Sequence, residues 1–150
     1  MKKYIRDGRA PIPRKLSTSK VMSANKKSNT GPEIILKKYI RKAGLRGYRL
    51  SPKNIPGRPD ISFTKKKIAI FVHGCFWHRC PECSFPLPRD NKNFWSEKFK
   101  RNKARDQKKK KELQKLWWKV LTIWEHQIKD NPERAARFVA QSLLRRHDVA

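Results

Sequence analysis

The amino-acid sequence predicts a mixed α/β fold in which helices flank a small central mixed β-sheet. Three observations indicate this class. Helix-like and strand-like segments alternate in the order α-β-β-α-β-α, a short turn separates the first two strands, and the second of these is an almost unbroken apolar run. Such a run is typical of a strand covered on both faces. At 150 residues the chain is most simply one domain, and we expect a basic arm over residues 1–30 and a single domain over residues 31–150.

The first half of the chain supplies a helix and a hairpin. A helix is predicted over about residues 32–43, beginning at Pro32 and ending before Gly44. Its predicted core-facing stripe consists of Ile34, Ile35, Leu36, Tyr39, Ile40 and Ala43. ISFT at 61–64 and IAIFV at 68–72, with three lysines between them, are predicted to pair as a β-hairpin.

The second half supplies two helices and a strand. A basic segment over about residues 91–115 is predicted to be helical, with five apolar anchors: Phe94, Trp95, Phe99, Leu113 and Leu116. LWWKVLTIWE at 116–125 is predicted to be the third strand. A final helix begins at Asn131-Pro132, with Ala135, Phe138, Val139 and Leu143 on one side.

The charge of the chain favours a polyanionic partner. Lysine and arginine number 39 against 12 acidic residues, which gives a net charge of +27. Self-repulsion of this size is offset by nucleic acid more often than by any other polyanion. A merely supercharged surface explains the charge less well, because natural domains seldom carry such an excess without use. A membrane surface also explains it less well, because no apolar stretch is long enough to span a bilayer and no basic amphipathic helix stands apart from the core. No apolar run follows the basic N-terminus, so we expect no secretory signal and a cytoplasmic location.

All three cysteines lie in FVHGCFWHRCPECSF at residues 71–85. Three thiols within nine residues, two of them in the pair Cys80-Pro-Glu-Cys83, are typical of a metal site rather than of a disulfide framework. We therefore predict a structural zinc ion bound by Cys75, Cys80 and Cys83. The residues alone leave the fourth ligand open among water and four histidines: His73, His78, His126 and His147.

Asp60 is the first candidate for a catalytic carboxylate. It ends the loop PGRPD and opens the first hairpin strand, where metal-dependent nucleases place an aspartate that holds Mg²⁺. Most of that broad class add Glu-x-Lys on the following strand, but here that strand has neither carboxylate nor lysine. On its own, Asp60 could equally be a turn aspartate, and Glu33 could be a glutamate that complements a helix dipole.

Five motifs in order resemble one family. PGRPD, V-H-G-C-F-W-H, F-W-x-x-K, N-x-x-R-D and V-L-x-x-W-E lie within about residues 18–126. Together they resemble the very-short-patch repair (Vsr) DNA mismatch endonucleases, and HGCFWH is a specific signature. The resemblance implies a fold related to type II restriction endonucleases. It also implies nicking, on the 5′ side of the thymine, of the strand that carries thymine in a T·G mismatch left by deamination of 5-methylcytosine.

The resemblance assigns roles to individual residues. Asp60 and the backbone carbonyl of Val72 would bind Mg²⁺, which explains why the second strand needs no acid; relatives usually have threonine where this chain has Val72. His78 would be the general base that takes a proton from water. The remaining site residues would hold waters or orient the site: Glu33, His73 and Asp106.

The resemblance also assigns the zinc site and a wedge. His126 stands where the family usually has cysteine, and Cys80 replaces a family histidine, so the implied zinc ligands are Cys75, Cys80, Cys83 and His126. Apolar side chains can enter a base step, most cheaply beside a mispair, and the family implies such a wedge from Phe76, Trp77 and Met22. Trp95 would pack beneath the wedge or against DNA, and the sequence does not decide between these.

These expectations define one function and two rivals. We expect a monomeric, Mg²⁺-dependent and zinc-stabilised endonuclease whose partner is double-stranded DNA with a T·G mismatch. The resemblance also raises a MutL-type mismatch-repair protein as a partner, and we expect no membrane partner. The rivals are a non-catalytic basic zinc protein that binds nucleic acid, and a restriction-type nuclease that cuts matched duplex.

Overall fold

A four-stranded sheet with helices on both faces forms the part of the chain that the computed structural model describes, residues 30–145. In chain order the elements are α1 (Gly31–Lys42), β1 (Arg49–Leu50), β2 (Ile61–Phe63), a 3-10 turn (Thr64–Lys66), β3 (Ile68–His73), α2 (Lys92–Lys115), β4 (Lys119–Trp124), α3 (Glu125–Asp130) and α4 (Pro132–Arg145). The predicted arm, with Met22, and His147 lie outside the described residues, apart from Thr30 at the end of the arm.

The sheet is mixed. Its strand order is β1-β2-β3-β4; β2 is antiparallel to both β1 and β3, and β4 is parallel to β3. Ile61 pairs with Ile70 in the hairpin, and His73 pairs with Trp124 where β3 and β4 end. The predicted class, a small mixed sheet flanked by helices, is confirmed.

Alternate residues of β3 enter two different cores. Ile68 and Ile70 lie in the larger core, which α1, α3 and α4 close over one face of the sheet. Ala69 and Phe71 point to the opposite face, where Leu113 of α2 covers them. Burial on both sides is the physical reason for the continuous apolar sequence of this strand.

Several details of the predicted elements are wrong. The chain from Leu116 to Trp118 is not strand: Leu116 caps α2, and Trp117 turns the chain with a positive φ of 66° and 80% of its surface exposed. β1 and α3 were not predicted, because two exposed residues and a six-residue helix leave little periodic signal. Among the apolar residues predicted to face the core, four are exposed: Ile34, Ala43, Leu116 and Phe138.

The exposure of Ile34 shows that α1 is rotated from the predicted orientation. The buried positions of α1 are Glu33, Leu36, Lys37 and Ile40, so its inward face begins with a charged side chain. Leu36 and Ile40 on that face lie in the larger core, whereas Glu33 lines a cleft at the edge of the sheet. Within residues 30–145, no helix is both long and apolar enough to cross a membrane.

Candidate active site and metal centre

One edge of the sheet gathers the polar residues of the site. β3 and β4 run parallel and end side by side, while Asp60 precedes β2, which is antiparallel to β3. Asp60 therefore reaches the carboxyl end of β3, where the backbone N–H of Val72 donates a 2.7 Å hydrogen bond to Asp60 Oδ2. The carboxyl ends of parallel strands are a common place for ligand sites. A cleft of about 920 Å³ opens here.

Asp60 is held in a partly desolvated position. Burial raises the pKa of this carboxyl to about 6, the hydrogen bond from Val72 opposes the rise, and the charge of Glu33 adds to it. A carboxyl shifted in this way within a cleft is typical of a functional site. The turn-aspartate alternative does not account for this environment, because the carboxylate of Asp60 accepts its hydrogen bond from Val72, across the hairpin and not in its own turn.

Glu33 also belongs to the cleft. Only 3% of this residue is exposed, it accepts a 3.3 Å hydrogen bond from Thr30 Oγ1, and Lys37 Nζ lies 3.9 Å from Glu33 Oε2. A glutamate that served only the helix dipole would need no burial, since that interaction is also made at exposed positions. Glu33 and Asp60 instead place two carboxylates in one cleft. Carboxylate oxygens are hard ligands of the kind that Mg²⁺ prefers.

His73, His78 and Asp106 form a second group in the cleft. The two imidazole rings stack with centroids 4.0 Å apart and planes 6° apart, and His78 Nδ1 lies 2.6 Å from Asp106 Oδ2. Burial, followed by the charge of His78, lowers the pKa of His73 to about 4. Burial alone would raise the pKa of Asp106, but the hydrogen bond and charge of His78 lower it overall. At neutral pH the group therefore combines a neutral His73 with an ionised Asp106.

Helix α2 provides the opposite wall of the cleft. Lys98, Asn102, Asp106 and Lys109 recur at helical spacing along one face of this helix and line the cleft. Asn102 Nδ2 donates a 3.2 Å hydrogen bond to the backbone carbonyl of Trp77, which ties the cysteine loop to α2. Arg58 and Arg105 add positive charge to the same cleft.

Three thiols and one imidazole form a separate cluster on the other side of the cysteine loop. The sulfur atoms of Cys75, Cys80 and Cys83 lie 3.3, 3.6 and 3.4 Å from His126 Nδ1. Tetrahedral zinc, with bonds of about 2.3 Å to sulfur and 2.0–2.1 Å to nitrogen, requires a separation of about 3.5 Å between these atoms. The donor set therefore fits a zinc ion.

The surroundings of the cluster strengthen that fit. His126 Nε2, the nitrogen turned away from the thiols, lies 3.0 Å from Glu82 Oε2, as in the carboxylate–histidine pairs that support metal ligands. Burial raises the pKa of Cys75, and burial together with hydrogen bonds from the other two thiols raises the pKa of Cys83 to about 12. Without a cation the thiols of Cys75 and Cys83 stay protonated. A bound metal would therefore deprotonate these thiols as well as link them to one another.

Phe76 and Trp77 lie between the two sites. The ring of Phe76 contacts Phe99 and Trp95 at centroid distances of 5.5 and 6.0 Å, and the ring of Trp77 lies 5.8 Å from Trp95. Trp95 is buried beneath both rings, which answers the question that the sequence left open about its packing. Lys98 Nζ lies 5.1 Å from the centroid of Trp77. Both Phe76 and Trp77 line the cleft and remain partly exposed.

The structure brings together nearly every residue that the sequence singled out. Glu33, Asp60, Val72, His73, His78 and Asp106 share one cleft, and His126 joins the cysteines. Sequence reasoning missed Glu82, Asn102 and Lys109. Glu82 carries a signal in hindsight, since it lies inside the C-x-x-C pair, whereas Lys109 is one of many lysines in α2.

The fold and cleft have the character of a hydrolase that acts on a polyanion: clustered carboxylates and imidazoles lie within strongly basic surroundings. Comparison with known proteins gives the family. The model of the family "DNA mismatch endonuclease Vsr" matches residues 12–84. The DNA mismatch endonuclease Vsr of Escherichia coli is 36% identical over 116 residues, which cover 77% of this chain and 74% of that protein.

Relatives described as type II nicking enzymes are equally similar. V.NaeI of Lentzea aerocolonigenes is 38% identical over 125 residues, which cover 80% of this chain and 74% of the relative. V.HpaIIP of Haemophilus parainfluenzae is 36% identical over 125 residues, which cover 83% of this chain and 88% of the relative. The chain belongs to the Vsr family and is a DNA endonuclease of the Vsr type.

Proposed function

We propose that this endonuclease nicks one strand of duplex DNA on the 5′ side of the thymine in a T·G mismatch. The observation that carries the proposal is the shared cleft of Asp60 and the His73–His78–Asp106 group, beside a partly exposed aromatic pair. Cleavage of a single strand also agrees with the description of V.NaeI and V.HpaIIP as nicking enzymes. We also propose that the fold is related to that of the type II restriction endonucleases, because the sheet is mixed and flanked by helices.

Asp60 and the carbonyl oxygen of Val72 are the proposed ligands of Mg²⁺. When bound there, the ion supplies Lewis-acid polarisation of the scissile phosphate. Glu33 adds negative charge next to Asp60, which would favour a divalent cation at this site. Because the pKa of Asp60 is about 6, the carboxyl is ionised and ready to bind at neutral pH.

His78 is the proposed general base. Its Nδ1 is engaged by Asp106, so its Nε2 is the nitrogen that takes the proton from the attacking water. Asp106 orients the ring and stabilises the imidazolium that results. His73, which is neutral because its pKa is about 4, stacks on His78 and limits the rotation of the ring.

Phe76 and Trp77 are the proposed wedge. They pack against Trp95 and belong to the same loop as the cysteine cluster, so they form a stiff apolar edge at the cleft. Unstacking a base step costs a few kcal/mol and is cheapest beside a mispair. The wedge therefore favours the mismatch over matched duplex, and we propose Met22 as its further member. The cysteine cluster with zinc bound would anchor the loop that carries the wedge.

The decisive experiment uses end-labelled duplexes that are identical except for a T·G or a T·A pair. With Mg²⁺ we expect a single nick on the 5′ side of the thymine in the T·G duplex, and its loss with Asp60→Ala. Asp130→Asn, an exposed carboxylate at the end of α3, is the matched control and should nick normally. Equal cutting of both duplexes would show a restriction-type nuclease. Binding without cutting, unchanged by Asp60→Ala, would show a non-catalytic binding protein.

A further inference from the structure

The cleft contains a cation that the family motifs do not include. Four carboxylates line it, on Glu33, Asp60, Asp106 and Glu125, and a DNA phosphate would add a further negative charge. Strand β3, which reads IAIFVH, supplies no lysine to this edge. A phosphate held there needs a positive group of the protein close to it, because charge developing in hydrolysis is best stabilised by a group already in place.

Lys109 lies where such a group is needed. It follows Asp106 by three residues on α2, about one helical turn further along, and lines the same cleft. Its stem is tightly packed: a Cβ added at Gly57, whose φ is +76°, would lie 3.0 Å from Lys109 Cβ and 3.4 Å from Phe71 Cζ. The PGRPD loop and the stem of Lys109 therefore lie against each other at Gly57, and Lys109 lines the same cleft as Asp60.

The charge of Lys109 acts on the site without being neutralised by it. Its charge opposes the rise that burial causes in the pKa of Asp60 and helps to lower the pKa of Asp106. Nζ lies 5.9 Å from the centroid of the Phe71 ring, and no carboxylate among residues 30–145 is within 4.0 Å of it. Lys98, another lysine of the cleft, lies over three rings of the aromatic cluster, those of Trp77, Phe94 and Trp95.

We propose that Lys109 Nζ contacts a non-bridging oxygen of the scissile phosphate and stabilises the charge that develops there during hydrolysis. Water attacks phosphorus and gives its proton to His78. The bond from phosphorus to the leaving bridging oxygen breaks, and that oxygen takes up a proton. Lys109 keeps its own proton throughout, so its contribution is electrostatic. The proposal rests on the nuclease function proposed above and adds a catalytic residue to it.

The test compares the full-length protein with Lys109→Met, Lys109→Gln and Lys109→Arg in single-turnover nicking of the T·G duplex. Lys108→Met is the matched control, because it removes the same charge from an exposed position one residue away. We expect Lys109→Met and Lys109→Gln to lower the nicking rate at least tenfold with less than a threefold change in the Kd for DNA. Lys109→Arg should recover most of the rate, and Lys108→Met should stay within threefold of wild type.

Three results would overturn the proposal. Nicking by Lys109→Met and Lys109→Gln within threefold of wild type would show that the ammonium is not used. Equal losses of rate and affinity in Lys109→Met and Lys108→Met would show only general attraction for DNA. A rate loss that Lys109→Arg fails to recover, with a lowered Tm in all three variants, would show a packing role for the stem. Failure of the nuclease function itself is distinguishable, since the wild-type protein would then nick no duplex.

Discussion

His78 Nδ1 and Asp106 Oδ2 lie 2.6 Å apart, although 28 residues separate them in the chain. One residue follows β3 in the cysteine loop, and the other lies in the middle of α2. Since the pKa of Asp106 is held below its usual range, the carboxylate accepts the hydrogen bond and Nδ1 carries the proton. This contact therefore selects the tautomer in which Nε2 is free to accept a proton.

Asp106→Asn tests that relationship. Asparagine keeps the size of the side chain but removes its charge, so the imidazolium formed during catalysis loses its counter-ion. Because positioned general bases contribute about 10²–10⁴-fold, we expect a fall of about 10²-fold in the single-turnover nicking rate and little change in DNA affinity. Asp130→Asn is the control. Unchanged nicking by Asp106→Asn would contradict the assignment of His78 as a base oriented by Asp106.

The raised pKa of Asp60 predicts an unusual dependence of stability on pH. An unfolded carboxyl titrates near 3.8 and the folded one near 6, so between these values the folded state binds more protons and stability falls as the pH rises. Asp60→Asn should therefore be more stable than wild type at pH 8, by roughly 1–3 kcal/mol, and equally stable below about pH 3.8.

Urea unfolding across this pH range measures the effect. The buffer should lack magnesium and chelators, so that the cysteine cluster is left undisturbed. Added Mg²⁺ should reduce the difference in unfolding free energy between Asp60→Asn and wild type. It should stabilise wild type but not the variant, since only the carboxylate binds the ion. A stability advantage of Asp60→Asn that persists unchanged at pH 3.5, or that Mg²⁺ does not reduce, would contradict the prediction.

Patterns within short stretches of the sequence predicted individual strands and the metal site. The apolar run of β3 indicated a strand buried on both faces, and the cysteine spacing indicated a metal site. The rotation of α1 was not predictable from periodicity, because its buried face starts with Glu33, a residue that faces the cleft rather than the core. The contacts of His126 with the cysteines and of Lys109 with Gly57 depend on how β4 and α2 dock on the sheet. Spacing along the chain carries no such information.

The cysteine cluster should hold one zinc ion per chain. Cys83→Ser and His126→Ala should each lose the metal and lower the Tm, because a bound ion would join the cysteine loop to His126 of α3. His126→Cys supplies another soft ligand and should retain zinc. Elemental analysis of the purified protein, with thermal unfolding before and after treatment with a zinc chelator, checks the prediction.

Glu82→Gln refines the same test. It removes the charge that faces His126 Nε2, and supporting carboxylates of this kind are worth about 10–100-fold in metal affinity. We therefore expect weaker zinc binding in a competition titration, with the fold intact at saturating zinc. A wild-type protein that contains no zinc, or a His126→Ala variant that keeps it with full affinity, would refute the assigned ligands.

Trp77 should contribute to discrimination between mismatched and matched DNA. Phe76 is less suitable for the test, because its ring contacts Phe85, Trp95 and Phe99 and its removal would disturb the packing under the loop. A base stacked on an aromatic ring gains about 1–3 kcal/mol. Trp77→Ala should therefore reduce the ratio of the Kd for T·A duplex to the Kd for T·G duplex by roughly tenfold or more.

Binding is measured without Mg²⁺, so that no DNA is cut, and Trp117→Ala is the matched control. Trp117 is 80% exposed and precedes β4, whereas the cleft lies where β4 ends, so its loss should leave the ratio unchanged. A fluorescent base analogue beside the mismatch should brighten on binding of wild type and not of Trp77→Ala, since only an inserted ring unstacks the step. If Trp77→Ala instead weakens binding to both duplexes equally, the ring contacts DNA without reading the mismatch.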